Sequence, residues 1–210
     1  MRKLLIALNV ALLALIAWTA FFWQPDVDQP PLPGTHAARL GQDVALATVP
    51  AGGDFTLDGP KGPVALHNHA GKLVLLYFGY TYCPDICPTS LMVWQQALAA
   101  LSPAEAARVQ PIFVSVDPER DTIERLIDYT RFFHPSMLGL TGKPDRLKEI
   151  AGRYGAVFAR VEGALATGYV VDHSAMTYLV DARGQLVASL PHGASVDQLL
   201  AEIHKYLPKT

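Results

Sequence analysis

Cysteine is scarce: the 210 residues hold two, and they sit four positions apart. Disulfide-stapled scaffolds spread several pairs along the chain to close long loops, so this is not one of them. A lone, close pair reads as a working dithiol rather than as a staple. A dominant charge is missing too. The 17 Lys and Arg nearly balance 19 Asp and Glu, for a formal net charge of −2. No basic stretch is interleaved with aromatics, which excludes a nucleic-acid footprint. No internal repeat or low-complexity tract occurs. What is plentiful is apolar: half of the residues are hydrophobic, enough for a substantial core in one domain of ordinary size.

One apolar run stands apart. Residues 4–23, from Leu4 to Trp23, are broken only by Asn9 and Thr19. About 20 residues rise about 30 Å as a helix, the hydrocarbon thickness of a bilayer. Trp18, Phe21, Phe22 and Trp23 gather at its far end, where aromatic rings prefer the interface. Arg2 and Lys3, in the stub of residues 1–3, precede it, and Asp26 and Asp28 follow it. The positive-inside rule then puts the N-terminus in the cytoplasm and the remainder on the periplasmic, extracytoplasmic side of the inner membrane. A cleaved signal peptide is the rival reading. The run is long for one and lacks a small-x-small cleavage site, so the expectation is a retained single-pass anchor. Residues 24–50 carry Pro25, Pro30, Pro31 and Pro33 and read as an extended stalk.

Residues 51–210 alternate between strand and helix patterns, which predicts an α/β domain. Phe55–Leu57 and Val64–Leu66 flank a Gly/Pro-rich turn and predict an early hairpin. Leu73–Phe78 and Ile112–Val116 read as strands buried on both faces. Helices are expected from Thr89, with Pro88 at its first position, as a short turn from Ser102-Pro103 with Glu105 placed for a capping box, from Asp121 as cap with Glu124 three residues on, from Pro144, and from Ser195 with Gln198 as its capping partner. Val157–Val161, Thr177–Val180 and Leu186–Leu190 read as further strands.

The chemistry collects at the end of the first buried strand, in Tyr77-Phe78-Gly79-Tyr80-Thr81-Tyr82-Cys83-Pro84-Asp85-Ile86-Cys87-Pro88. The carboxyl end of a strand in an open α/β sheet is where sites form. A following helix N-terminus favours thiolate over thiol. Thioredoxin-like oxidoreductases use Cys-x-x-Cys; here a third residue intervenes, which lets both sulfurs turn toward one metal. Thiolates select Cu(I) and zinc, and structural zinc wants four protein ligands, for which no third cysteine exists. A static disulfide is the plain alternative. Of seven histidines, His173 in the Val171–Ser174 loop is the one a thioredoxin-like fold would bring opposite the dithiol. Oxidoreductases place a cis-proline there, and this loop has none. His67 and His69 lack a partner pattern for a metal, and His134, His192 and His204 read as packing or solvated residues. Asp117 is expected at the edge that carries the dithiol, to tune it or to dock a partner. Tyr80, Tyr82, Trp94 and Tyr169 are candidate walls or a docking face. Met92 and Met176 are soft thioethers at positions that core packing explains.

These stretches, together with Gly52–Phe55, Val116-Asp117-Pro118-Glu119-Arg120-Asp121-Thr122, Leu140-Thr141-Gly142 and Val171-Asp172-His173-Ser174, resemble the Sco/SenC family over about residues 50–207. The resemblance implies a thioredoxin-like fold on a membrane anchor and copper, as Cu(I) or Cu(II), held by Cys83, Cys87 and His173. It implies a role in assembling the dinuclear copper centre of cytochrome c oxidase. The partners would be the copper domain of an oxidase subunit, an upstream thiol reductant and a copper donor. The expected function is a copper metallochaperone. The alternative is a thiol–disulfide oxidoreductase, with Cys83 and Cys87 as its redox pair, that keeps the target's cysteines reduced. Peroxide-reducing chemistry is remote, since only Thr81, two residues before Cys83, fits its pattern.

Overall fold

The computed structural model describes residues 50–163 and 168–208, with Leu15 and Trp18 before them. Two units divide the chain, Met1–Ala47 and Thr48–Thr210. The expected membrane segment and stalk lie outside the described residues apart from Leu15, Trp18 and Pro50, and both Leu15 and Trp18 are helical. Among the described residues, no helix is long and apolar enough to cross a membrane.

The two runs read as doubly buried become neighbours at the middle of the sheet. Strand β3 (Leu73–Gly79) and strand β4 (Val109–Ser115) are buried along their whole length. They pair in parallel from Leu73 opposite Val109 to Gly79 opposite Ser115. Ahead of them, β1 (Thr56–Gly59) and β2 (Gly62–Ala65) form the expected hairpin. After them come β5 (Leu138–Leu140), β6 (Phe158–Glu162), β7 (Tyr169–His173), β8 (Met176–Val180) and β9 (Leu186–Pro191). The central sheet has the order β5-β4-β3-β8-β9, with β3, β4 and β5 parallel and β8 and β9 antiparallel to their neighbours. Strands β6 and β7 make a separate antiparallel ribbon. A mixed sheet of this order, flanked by helices, is thioredoxin-like.

Helices α1 (Ile86–Ala100), α2 (Pro103–Ala106), α3 (Ile123–Phe133), α4 (Pro144–Arg153) and α5 (Val196–Tyr206) connect or close the strands. Because side chains alternate across a strand, Tyr77 and Phe78 point to opposite faces. Tyr77 meets Trp94 of α1 edge-on and stacks on Phe113 of β4. Phe78 meets Tyr154, just past α4, and Tyr178 of β8. Trp94, Tyr77, Tyr154, Phe78 and Phe113 are the bulkiest fully enclosed side chains. Each large apolar side chain so buried contributes about 1.5–3 kcal/mol, so the sheet beneath the dithiol rests on a well-packed layer. The Trp94 indole N–H donates to Thr177 Oγ1 at 2.9 Å, which satisfies the one polar group of that buried side chain.

Several expectations change. Helix α1 starts at Ile86, a turn before Thr89, so Pro88 is its third residue rather than its first. Proline is still tolerated there because first-turn N–H groups have no intrahelical acceptor. The helix after the Asp117 turn is capped by Thr122, whose hydroxyl accepts from the Arg125 N–H; Asp121 is one residue too early and is buried instead. The short edge strand β5 was not expected. His173 ends a strand, β7, rather than sitting in a loop. Met92 is 50% exposed on the outer side of α1, so packing does not account for it. The capping boxes expected at Ser102–Glu105 and Ser195–Gln198 both form, and Pro144 opens α4.

Candidate metal centre

Three elements converge on one point. The loop after β3 carries Cys83, the first turn of α1 carries Cys87, and the last residue of β7 is His173. Their sulfur and imidazole nitrogen atoms all lie within 4.8 Å of one another. The Cys87 sulfur is 3.2 Å from His173 Nε2. The Cys87 backbone N–H donates to the Cys83 sulfur at 3.4 Å, placing that sulfur at the positive end of the helix. Cys83 is half-buried and Cys87 is fully buried, and both are free thiols.

The two thiols share their ionisation. The Cys87 thiol donates to Cys83 and, with His173 and the α1 backbone N–H groups, lowers the Cys83 pKa to about 3. Cys87 moves the other way, since the Cys83 thiolate beside it and its own burial both favour the protonated form. At neutral pH the pair is therefore one thiolate, facing outward, and one thiol, facing inward.

Space for the inner thiol comes from Gly79, at the end of β3. A Cβ there would lie 2.8 Å from the Cys87 sulfur and 2.9 Å from the Phe113 ring. The loop that carries Cys83 is fixed by Asp121. This side chain is fully buried and accepts hydrogen bonds from the Thr81 N–H at 2.9 Å, the Thr81 hydroxyl at 2.6 Å and the Ser115 hydroxyl at 2.6 Å. The sequence reading missed Gly79 as a spacer and misplaced Asp121. A signal for the latter was present: Thr122 is also a competent cap, which frees the acid for another task.

The expected walls divide. Tyr77 and Tyr80 meet the His173 imidazole nearly at right angles, at 6.0 and 5.9 Å between centroids. Tyr82 is exposed and lies under the guanidinium groups of Arg120 and Arg125. Trp94 lies deeper, against Tyr77. Tyr169 donates its hydroxyl to Asp117 at 2.7 Å. Asp117 is indeed just past the end of β4, but its carboxylate is engaged by Tyr169 and Arg120 rather than aimed at the thiols. The other described histidines stay away. His67 pairs with Asp54 at 2.6 Å and, with His69, lines a hollow at the far end of the sheet beside Val74 and Val180. His134 contacts Ser136, His192 contacts Ser90, and His204 lies 3.5 Å from Glu105.

Two soft sulfurs and one imidazole fit a soft, low-coordinate ion and leave a structural zinc one protein ligand short. Fold and site together define a thioredoxin-like domain with a Cys-x-x-x-Cys pair closed by a distal histidine.

Comparison with known proteins agrees. The SCO1/SenC family model matches residues 45–208. Protein SCO1 homolog 1 of Arabidopsis thaliana, a mitochondrial protein, is 38% identical over 177 residues, covering 81% of this chain and 52% of that protein. The crystal structure of Arabidopsis ScoI with copper bound superposes with a TM-score of 0.69 at 36% identity, covering 74% of this chain and 96% of that one. The solution structure of apo Sco1 from Thermus thermophilus gives 0.67 at 42% identity, covering 74% and 91%. The chain spans little more than half the length of the first curated relatives it matches. It belongs to the SCO1/SenC family.

Proposed function

We propose that this protein is a copper metallochaperone that holds copper through Cys83, Cys87 and His173 and delivers it to the dinuclear copper centre of cytochrome c oxidase. The observation that carries the reading is the convergence of those three side chains within 4.8 Å. Copper in the related Arabidopsis structure supports it. Copper here is cargo, and the chain's own contribution is a donor set. Cys83 offers a ready thiolate, Cys87 surrenders its proton when it binds, and the rings of Tyr77 and Tyr80 keep the imidazole turned toward the sulfurs. The residue 4–23 anchor and residue 24–50 stalk would hold the 51–210 domain on the periplasmic face of the inner membrane, near the target subunit's copper domain.

A second reading rests on the asymmetry of the thiols. The half-exposed Cys83 thiolate would attack a sulfur of a partner disulfide, forming a mixed disulfide and releasing one partner thiolate. Cys87 would then attack the Cys83 sulfur and release the second partner thiol. Two electrons pass to the partner and a Cys83–Cys87 disulfide remains, for an upstream thiol reductant to reduce.

Copper titration of the reduced protein tests the first reading. Cys83→Ala and Cys87→Ala should each abolish tight Cu(I) binding, and His173→Ala should weaken it and change the Cu(II) absorption and paramagnetic resonance spectra. Equal copper affinity of the oxidised protein would remove the cysteines from the site. In cells, full oxidase activity with His173→Ala and none with Cys83→Ala would overturn delivery and leave reduction standing.

A further inference from the structure

His173 reaches the dithiol from a ribbon that is not hydrogen-bonded into the central sheet. Its C-terminal side runs at once into β8, but the far end of β7, at Tyr169, needs another restraint. Arg120 supplies one. Its side chain is only 15% exposed and touches three parts of the site together. Nε donates to Asp117 Oδ2 at 2.5 Å, in the turn after β4. Nη1 donates to the Tyr169 carbonyl at 3.0 Å, in β7. The guanidinium carbon lies 3.6 Å from the Tyr169 ring centroid and 4.8 Å from that of Tyr82, the residue before Cys83. Tyr80, whose ring centroid is 5.7 Å from the same carbon, packs against His173 itself. Asp117 closes the circuit by accepting the Tyr169 hydroxyl.

We infer that Arg120 is a positioning residue that locks the histidine-bearing ribbon to the dithiol loop, and so sets the distance between His173 and the sulfurs. The inference rests on the copper-holding reading for its functional meaning, but the lock itself is a property of the metal-free protein. A planar fork is needed: one arm for the carboxylate, one for the carbonyl, and a face for the rings. A lysine keeps the charge opposite Asp117 and cannot hold all three.

The test uses the full-length protein carrying Arg120→Lys, with Tyr169→Phe as a second variant that removes only the hydroxyl–Asp117 arm. Two readouts are taken. In metal-free protein, amide exchange across Val170–His173 should accelerate in both variants while β3 and β4 stay protected. In Cu(I) competition titrations, Arg120→Lys should weaken binding about tenfold or more, the range for residues that orient metal ligands. The same substitution in a His173→Ala background should have no further effect, because the residue it positions is gone. Equal weakening in both backgrounds would make Arg120 a general structural residue and overturn the inference. Unchanged exchange in β7 would overturn it as well. Should the wild-type protein take up no copper, the copper-holding reading falls, and the exchange measurement alone decides the lock.

Discussion

Gly79→Ala probes the tightest contact in the site. The new Cβ would sit 2.8 Å from the Cys87 sulfur, 2.9 Å from Phe113 and 3.1 Å from Tyr77. Ordinary contact is about 3.5–4.0 Å, so roughly 1 Å must be found. Phe113 is stacked on Tyr77 inside the core, and neither ring can retreat without opening a gap elsewhere. The sulfur, at the end of a short side chain, is left to shift, and its 3.2 Å contact with His173 changes with it. Overpacking of this kind costs about 1–3 kcal/mol, and in a domain of this size each kcal/mol lowers the melting temperature by about 2–4 °C. The expected fall is therefore about 2–12 °C, read by thermal unfolding of the reduced protein. Copper affinity should fall with it, and the Cu(II)–thiolate absorption should shift because Cys87 has moved relative to the imidazole. An alanine variant with wild-type melting and wild-type copper spectra would refute the argument that Gly79 is the spacer for Cys87.

The Cys83 thiolate gives a second expectation. Its pKa is lowered, so its contribution to stability is complete above the ordinary thiol value of about 8.5 and is lost as pH falls toward about 3. Cys83 should alkylate at pH 5 nearly as fast as at pH 7, where an ordinary thiol slows about a hundredfold; a hundredfold fall would refute the assignment. Asp121→Ala strips a fully buried acceptor from Thr81 and Ser115 and should cost about 2–4 kcal/mol by denaturant titration. Asp121→Asn, which can still accept from the Thr81 N–H and the Ser115 hydroxyl, should recover part of it. An alanine variant within about 0.5 kcal/mol of wild type would remove the clamp.

How far the sequence carried depended on the range of each signal. Leu73–Phe78 declared a buried strand because every residue is apolar, and Ser102-Pro103-Ala104-Glu105 declared a helix start because capping chemistry is local. β5 has three residues, Leu138–Leu140, too few for any period to register. The sequence of β7 resembles a loop because Asp172 and His173 interrupt its apolar alternation, and no short pattern specifies its pairing with β6. That Cys83, Cys87 and His173 meet is legible in the sequence, since cysteine spacing and family motifs are carried by the residues themselves. Asp121 was not. Its partners Thr81 and Ser115 lie forty and six residues away, and only the parallel pairing of β3 with β4 brings them together. The same holds for Arg120, whose contacts with Tyr82 and Tyr169 are set by tertiary packing.

The two proposed activities use the same atoms, and this makes them exclusive in any one molecule. Holding copper commits both sulfurs and the imidazole. Disulfide exchange needs the Cys83 thiolate free to attack and Cys87 free to resolve. The imidazole lies against Cys87, the buried sulfur, rather than only against the outward Cys83. A bound ion would therefore block the resolving step as well as the attacking one. Conversely, a Cys83–Cys87 disulfide has no thiolate to offer a metal. Copper loading and thiol oxidation should thus compete, and Cu(I) should protect the reduced protein from both alkylation and oxidation in a one-to-one ratio. Rapid alkylation of Cys83 in the fully loaded protein would show that its sulfur is not a ligand, and the exclusion would fail with it.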